Sequence, residues 1–178
     1  MKIVNLSEQN SIINQYMAEM TDVDYQKNRF LFRNNIQRIG EFEAFEISKT
    51  LDYEPTKVTT PLGEATVNLP TDKVVLATIF RAGLPFHNGF LNVFADPMLA
   101  TGGSMEMGYK AILTKGTPKC VHVACVIACP EGIEHIRKTF PDAETTVWCA
   151  AIDEGLNEHK YIVPGFGDAG DLCYGGKL

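Results

Sequence analysis

"KCVHVACVIACPEGIEHIRKTF", from Lys119 to Phe140, joins an almost continuous apolar run, ending at Pro130, to a stretch that reads as a helix from Glu131. A strand with no polar alternation is one buried on both faces, which is the habit of parallel sheets. The pattern repeats outward from there. "KVVLATIF" (Lys73 to Phe80) ends at Arg81-Ala82-Gly83, and "TTVWCAAIDEG" (Thr145 to Gly155) leads into a glycine-rich tail. Apolar strands alternating with helices predict an α/β fold, a mostly parallel sheet flanked by helices. In such sheets ligands bind at the carboxyl ends of the strands. Each predicted strand ends in a suggestive turn: "RAG", "DPMLATGG", "CPEG" or "IDEGLNEH". There is no internal repeat and no low-complexity segment.

The length of 178 residues, 45% of them hydrophobic, suits one domain spanning 1–178. A formal net charge of -6 and a pI near 5.2 argue against a nucleic-acid surface, which needs basic residues to neutralise phosphates. No run of 18 apolar residues occurs, and the opening "MKIVNLSEQNS" turns polar after six, so neither a membrane span nor a signal peptide is expected and a cytoplasmic location is. Five cysteines, an odd number without framework spacing, suit reduced thiols. Strand alternation would put Cys125 and Cys129 on one face about 13 Å apart, too far for sulfurs that must each lie ~2.3 Å from one zinc. Buried structural cysteines are therefore expected, and no metal held by protein side chains.

Toward the N-terminus, Ser7 to Met20 carries Ile12, Ile13, Tyr16, Met17 and Met20 at helical spacing, with Ser7 as the candidate cap. Asp24 to Lys49 predicts a second helix with Phe32, Ile36, Ile39 and Phe42 on one face. Its arginines Arg29, Arg33 and Arg38 read as a solvated face. N-terminal helices thus occupy about 7–49. "KVTTPLGEATVNL", about 57–69, alternates on both sides of Pro61 to Glu64 and predicts a projecting β-hairpin with a four-residue loop, of the kind that serves a subunit contact.

The chemistry concentrates at "DPMLATGGSM", Asp96 to Met105. Gly102 and Gly103 remove side chains where backbone N–H groups must approach a ligand, and Thr101 and Ser104 add hydroxyls at the start of a helix over Met105 to Leu113. Helix N-termini present unpaired N–H groups and a positive dipole end, where monophosphates lodge. The alternative is an ordinary glycine-rich βα turn. Asp96 favours the phosphate reading, since its carboxylate would accept hydrogen bonds from ribose hydroxyls at the other end of the loop. The loop lacks the lysine of a Walker A motif and the glycines of a dinucleotide fold. Arg81, at a predicted strand end, would supply a cation to a second phosphate cluster. The tail, about 153–174, shows no helical or strand period, but Tyr161, Ile162, Val163 and Phe166 favour a packed loop over disorder. His159 reads as a polar loop residue; His87, His122 and His135 show no chelating or triad pattern.

"RAGL", "DPMLATGGS", "CPEGI" and "DEGLNEHKYIVPGFGDAGD" together resemble the uracil phosphoribosyltransferase family over nearly the whole chain. The resemblance implies transfer of the 5-phosphoribosyl group from phosphoribosyl diphosphate to uracil, giving UMP and diphosphate. It implies that Asp96, Pro97, Met98, Leu99, Ala100, Thr101, Gly102, Gly103 and Ser104 hold the ribose 5-phosphate, and that Arg81 faces the diphosphate. Ile162, Gly167, Asp168 and Ala169 would read uracil largely through backbone groups, Asp168 also facing the ribosyl substrate as a catalytic residue with Arg81. Mg²⁺ bound to the diphosphate is the implied cofactor, GTP an implied effector of some relatives, and a homodimer or higher homo-oligomer the expected assembly. Alternatives with the same fold are a regulator that binds UMP or phosphoribosyl diphosphate, of RNA-binding attenuation type, and an inactive paralogue.

One stretch does not fit. If a helix runs from Pro85 to Phe94, it descends ~15 Å at 1.5 Å per residue. Only Ala95 then separates it from Asp96, where a return strand of about five residues is needed to regain the carboxyl edge. Family resemblance implies further strands and another arginine between these motifs. The expectation is that a segment on the order of one βαβ unit, ~30 residues, is missing near Phe94 and Ala95, and that the backbone is interrupted there.

Overall fold

The computed structural model describes residues 1–79, 83–89, 94–95, 98–99 and 101–176, the four residues 94, 95, 98 and 99 by their backbone alone. The central sheet is parallel throughout. Its order is β1 (Lys2–Asn5), β7 (Thr145–Ile152), β6 (Val121–Ala128), β4 (Phe94–Ala95), with β5 (Met98–Leu99) also pairing β6. β6 and β7 are the two long central strands, and their alternation divides two cores. Ala124, Val126, Trp148 and Ala150 point to one side. Val121, Val123, Cys125, Val147 and Cys149 point to the other. Cys129, just past the end of β6, joins the first side, so Cys125 and Cys129 do not share a face as alternation had implied.

The first face is covered by α1 (Ile12–Thr21), α2 (Arg29–Ser48), α3 (Gly83–Gly89) and α6 (Ala169–Tyr174). On the second lie α4 (Gly103–Leu113) and α5 (Pro130–Thr139), with Met105, Tyr109, Ile133 and Ile136 buried against the sheet. Tyr109 and Phe140 stack with centroids 4.3 Å apart. The expected fold class is therefore the observed one.

Several local expectations are corrected. The first residues form β1, parallel to β7, and α1 starts after Ser11, whose Oγ accepts from the Ile13 N–H; Ser7 lies in a short 3₁₀ turn instead. Four residues give too little alternation for a strand to be read from sequence, and β1 exists because β7 offers it an edge. In α2, Phe32, Ile36 and Ile39 are buried as expected but Phe42 is exposed, stacked on Tyr16. The α2 arginines are not merely solvated. Arg33 Nη1 donates to the Cys173 carbonyl at 2.6 Å, and Arg38 lies 5.4 Å over the Tyr16 ring. The tail is regular too: β8 (Gly155–Leu156) pairs antiparallel with β9 (Ile162–Val163), and α6 follows.

The hairpin of β2 (Tyr53–Thr60) and β3 (Gly63–Pro70) closes with two residues, Pro61 and Leu62, rather than four, because Thr60 already pairs Gly63. It stands clear of the core, with Leu62 fully exposed. "KVVLATIF" forms no strand within its described residues 73–79 beyond an isolated bridge at Thr78. Its Leu76, Ala77 and Ile79 pack on the core without a ladder. A ladder needs a neighbour of matching length, and the strands on this side of β6 are two residues long.

The stretch around Phe94 also differs from expectation. α3 is described to Gly89, and Phe94, expected as its last residue, instead lies in β4, where Phe94 and Ala95 pair in succession with Val123 and Ala124. Met98 and Leu99 then pair Ile127 and Ala128. A return strand therefore does exist, in two pieces, and Phe94 and Ala95 are consecutive residues of one of them.

Glu43, on the buried face of α2, is fully enclosed, and neither carboxyl oxygen has a hydrogen-bond partner among the described residues. Burial pushes its pKa well above the ordinary 4.5, so the folded state holds it protonated. Below about pH 4.5 the group is neutral in both states and its titration costs nothing. As pH rises above that, the unfolded chain releases a proton that the folded chain keeps, and stability falls until the folded group itself ionises. Glu43→Met is expected to raise stability by about 1–3 kcal/mol at neutral pH and to flatten this decline. Denaturant melts of both proteins between pH 4 and 8 check it; parallel curves would refute it.

Candidate active site

Three turns meet at the carboxyl edge of the sheet. β5 pairs with the last two residues of β6, so the chain enters Thr101 to Ser104 beside the turn that follows β6 at Cys129-Pro130-Glu131-Gly132. The turn after β7, Asp153 to Gly155, lies next to the β6 turn: the Asp153 N–H bonds the Ala128 carbonyl at 3.0 Å. Glu131 Oε1 accepts from the Leu156 N–H at 3.3 Å. Its own backbone N–H above all, and then that of Leu156, hold the Glu131 carboxyl below its ordinary pKa. As a charged acceptor at a helix N-terminus it ties the β6 turn to the β7 turn.

The first of these turns has the form of an anion cradle. Gly102 sits at φ +78°, in the left-handed region, and is the N-cap of α4 with no side chain to offer the first-turn N–H groups. A Cβ at Gly102 would lie 2.9 Å from the ring of His135, so both conformation and packing call for glycine. α4 begins at Gly103 rather than Met105, two residues earlier than expected, which puts Ser104 in its first turn.

The tail is held over the β7 turn by Asp153, whose Oδ2 accepts from the Gly165 N–H at 2.6 Å. Gly165 has φ +54°, and a Cβ there would fall 2.2 Å from the Ile162 carbonyl oxygen. Ile162 and Ala169 are buried in the core, whereas Gly167, at φ +86°, is exposed with open space where a Cβ would be. Asp168 is the N-cap of α6, and its Oδ1 accepts from the Asp171 N–H at 3.0 Å. From beneath, Phe32 of α2 meets Phe166 edge-on at 5.6 Å.

Of the residues singled out from sequence, Thr101 to Ser104, Ile162, Gly167, Asp168 and Ala169 are described in full, and Met98 and Leu99 by backbone. Arg81, Asp96, Pro97 and Ala100 lie outside the described residues. Asp153, Glu131 and Arg33 were missed as supports. The first two stood inside quoted motifs, while Arg33 carries no local signal because its partner lies 140 positions away. His159 is exposed near Glu158 as a loop residue, His87 Nδ1 meets Thr78 Oγ1 at 2.8 Å, and His122 accepts from Trp148 Nε1 at 3.0 Å. Among the described residues no cluster of three His, Cys, Asp or Glu could hold a metal, and no helix is long and apolar enough to cross a membrane.

A parallel sheet with a glycine turn opening a helix, and a glycine-rich loop beside it at the carboxyl edge, is the arrangement of a phosphoribosyltransferase-like α/β protein. A protein of known structure from Aquifex aeolicus superposes with TM-score 0.84 at 27% identity, covering 97% of this chain and 98% of its own. A model of the family described as uracil phosphoribosyltransferase matches residues 7–96 and 92–176. The uracil phosphoribosyltransferase of Porphyromonas gingivalis is 47% identical over 217 residues, covering all of both chains. That of Pyrococcus furiosus is 33% identical over 208, covering 94% of this chain and 88% of its own. The chain belongs to the uracil phosphoribosyltransferase family, enzymes of pyrimidine salvage that act on uracil and phosphoribosyl diphosphate.

The match is in two blocks that meet at residues 92–96. The 217 positions aligned with the Porphyromonas gingivalis enzyme exceed this chain's 178 residues by 39.

Proposed function

We propose that the carboxyl edge of the sheet carries this reaction with the following division of labour. Thr101, Gly102, Gly103 and Ser104 hold the 5-phosphate of phosphoribosyl diphosphate on the N-terminus of α4. Asp96, Pro97, Met98, Leu99 and Ala100 complete that loop, Asp96 taking the ribose hydroxyls and Arg81 the diphosphate. Ile162, Gly167, Asp168 and Ala169 present backbone N–H and C=O groups to uracil, so that its N1 faces the anomeric carbon. The observation that carries this reading is the uncapped first turn of α4 at Gly102, set on the same edge as the loop that Asp153 pins. The C–N bond forms as the C–O bond to diphosphate breaks, with oxocarbenium character between. The proton on N1 is lost, and the electron pair of the broken bond leaves with diphosphate.

Mg²⁺ would arrive on the diphosphate and neutralise it, its octahedron completed by water. The exposed hairpin of β2 and β3 is the surface proposed for a homodimer or higher homo-oligomer, and GTP the candidate effector. A cytoplasmic location accords with a salvage enzyme of reduced cysteines.

The test is UMP formation from uracil and phosphoribosyl diphosphate; none at any substrate concentration would overturn the reading. Asp168→Asn adds a finer arm. Asparagine caps a helix as well as aspartate, so α6 and the melting temperature are expected to hold while the negative charge is lost. Turnover is expected to fall on the order of 10²-fold, the scale of a lost electrostatic contact in a transition state. Unchanged turnover would remove Asp168 from the reaction.

We further propose that the chain is short of one internal segment between the two blocks of the family match, at residues 92–96. The 39 positions by which the alignment with the Porphyromonas gingivalis enzyme exceeds this chain support it.

A further inference from the structure

α4 and α5 lie side by side on the same face of the sheet, and a single side-chain hydrogen bond joins them among the described residues. His135 Nε2 lies 2.8 Å from Glu106 Oε2. A carboxylate only accepts, so Nε2 carries the proton. The other oxygen of Glu106 takes Lys110 Nζ at 2.5 Å. These two bonds, Lys110 first, hold the Glu106 carboxyl below its ordinary pKa. Glu106 is also tied to the glycine turn, because its N–H bonds the Gly102 carbonyl at 3.1 Å.

The same imidazole packs on that turn. An added Cβ at Gly102 would meet Cδ2, Cβ and Cγ of His135 at 2.9, 3.0 and 3.1 Å. Gly102, His135 and Glu106 therefore form a closed circuit: ring against glycine, ring to carboxylate, carboxylate residue back to glycine through the first helical bond. Glycine in the left-handed region is conformationally free, and nothing in its own side chain holds φ at +78°. The neighbouring helix supplies the constraint.

We infer that His135 is a positioning residue for the phosphate loop, fixing from α5 the turn whose N–H groups receive the 5-phosphate. This rests on the assignment of Thr101 to Ser104 as the phosphate site. The ring does not touch substrate; it keeps Gly102 in the one conformation that aims the first turn of α4 at the ligand. Sequence offers no sign of this, since His135 and Glu106 stand 29 positions apart.

The test compares wild type, His135→Ala, His135→Gln and Glu106→Ala by calorimetry with phosphoribosyl diphosphate and by steady-state kinetics in both substrates, with melting temperatures alongside. His135→Ala is expected to raise the KM for phosphoribosyl diphosphate by about tenfold, the scale of one hydrogen bond to a charged group, with the KM for uracil unchanged. His135→Gln, which can still donate to Glu106, should recover most of the loss. Glu106→Ala should reproduce it from the other helix, which keeps the test intact should His135→Ala not fold. Unchanged phosphoribosyl diphosphate affinity in folded His135→Ala or Glu106→Ala would overturn the proposal. So would a loss equal for both substrates that tracks melting temperature and is not rescued by glutamine. Wild type that binds no phosphoribosyl diphosphate would instead overturn the assignment of the loop, and this proposal with it.

Discussion

Uracil is expected to be used with a kcat/KM at least ~10⁴ above that for cytosine, because a site that reads a base by matched buried hydrogen bonds leaves groups unpaired when the pattern is inverted. Along the edge where uracil presents acceptor, donor and acceptor, cytosine presents acceptor, acceptor and donor. A side chain could turn its amide or hydroxyl to suit either base. Backbone groups cannot, and the loop proposed to do the reading is held rigidly. Asp153 takes the Gly165 N–H at 2.6 Å, Ile162 is buried, and Phe166 is wedged against Phe32. Initial rates with both bases under identical conditions decide it. Comparable values would mean that the loop does not set specificity through its backbone.

The second large effect concerns residues 92–96. With β4 and β5 only two residues each, the glycine turn leans on four backbone positions beside β6, and the apolar run before Arg81 packs without a ladder. A phosphate loop displaced by even 1 Å loses about 10²-fold in rate. Inserting a segment on the order of one βαβ unit, ~30 residues, at residues 92–96 is therefore expected to raise UMP formation by about a hundredfold and to raise the melting temperature. The 178-residue chain and the lengthened chain would be assayed side by side. Equal activity would show that the two short strands suffice and that the segment is dispensable.

The fold class was legible because its signal is local. A buried parallel strand must be apolar on both faces, and β6 and β7 are almost continuous apolar runs followed by turns at Cys129-Pro130 and Asp153-Glu154. The motifs at Thr101 to Ser104 and Gly165 to Asp168 were legible for a related reason: backbone that approaches a ligand or adopts positive φ needs glycine, and glycine can be read. β1 and the fate of "KVVLATIF" were not legible. Whether an extended segment becomes a strand depends on the edge it meets, which lies elsewhere in the chain. β7 offered an edge to four undistinguished residues, while two-residue neighbours offered almost none to a strongly apolar run.

What the sequence by itself determined is the set of elements whose residues carry their own instruction: the central strands, the helices α1, α2, α4 and α5 and the glycine turns at the carboxyl edge. Only the tertiary structure decided which groups support those turns. Arg33 reaches Cys173 across 140 positions, Asp153 pins Gly165, and His135 meets both Gly102 and Glu106. Hydrogen bonds and packing act over a few ångströms in space and are indifferent to separation along the chain, so no period or motif could announce them.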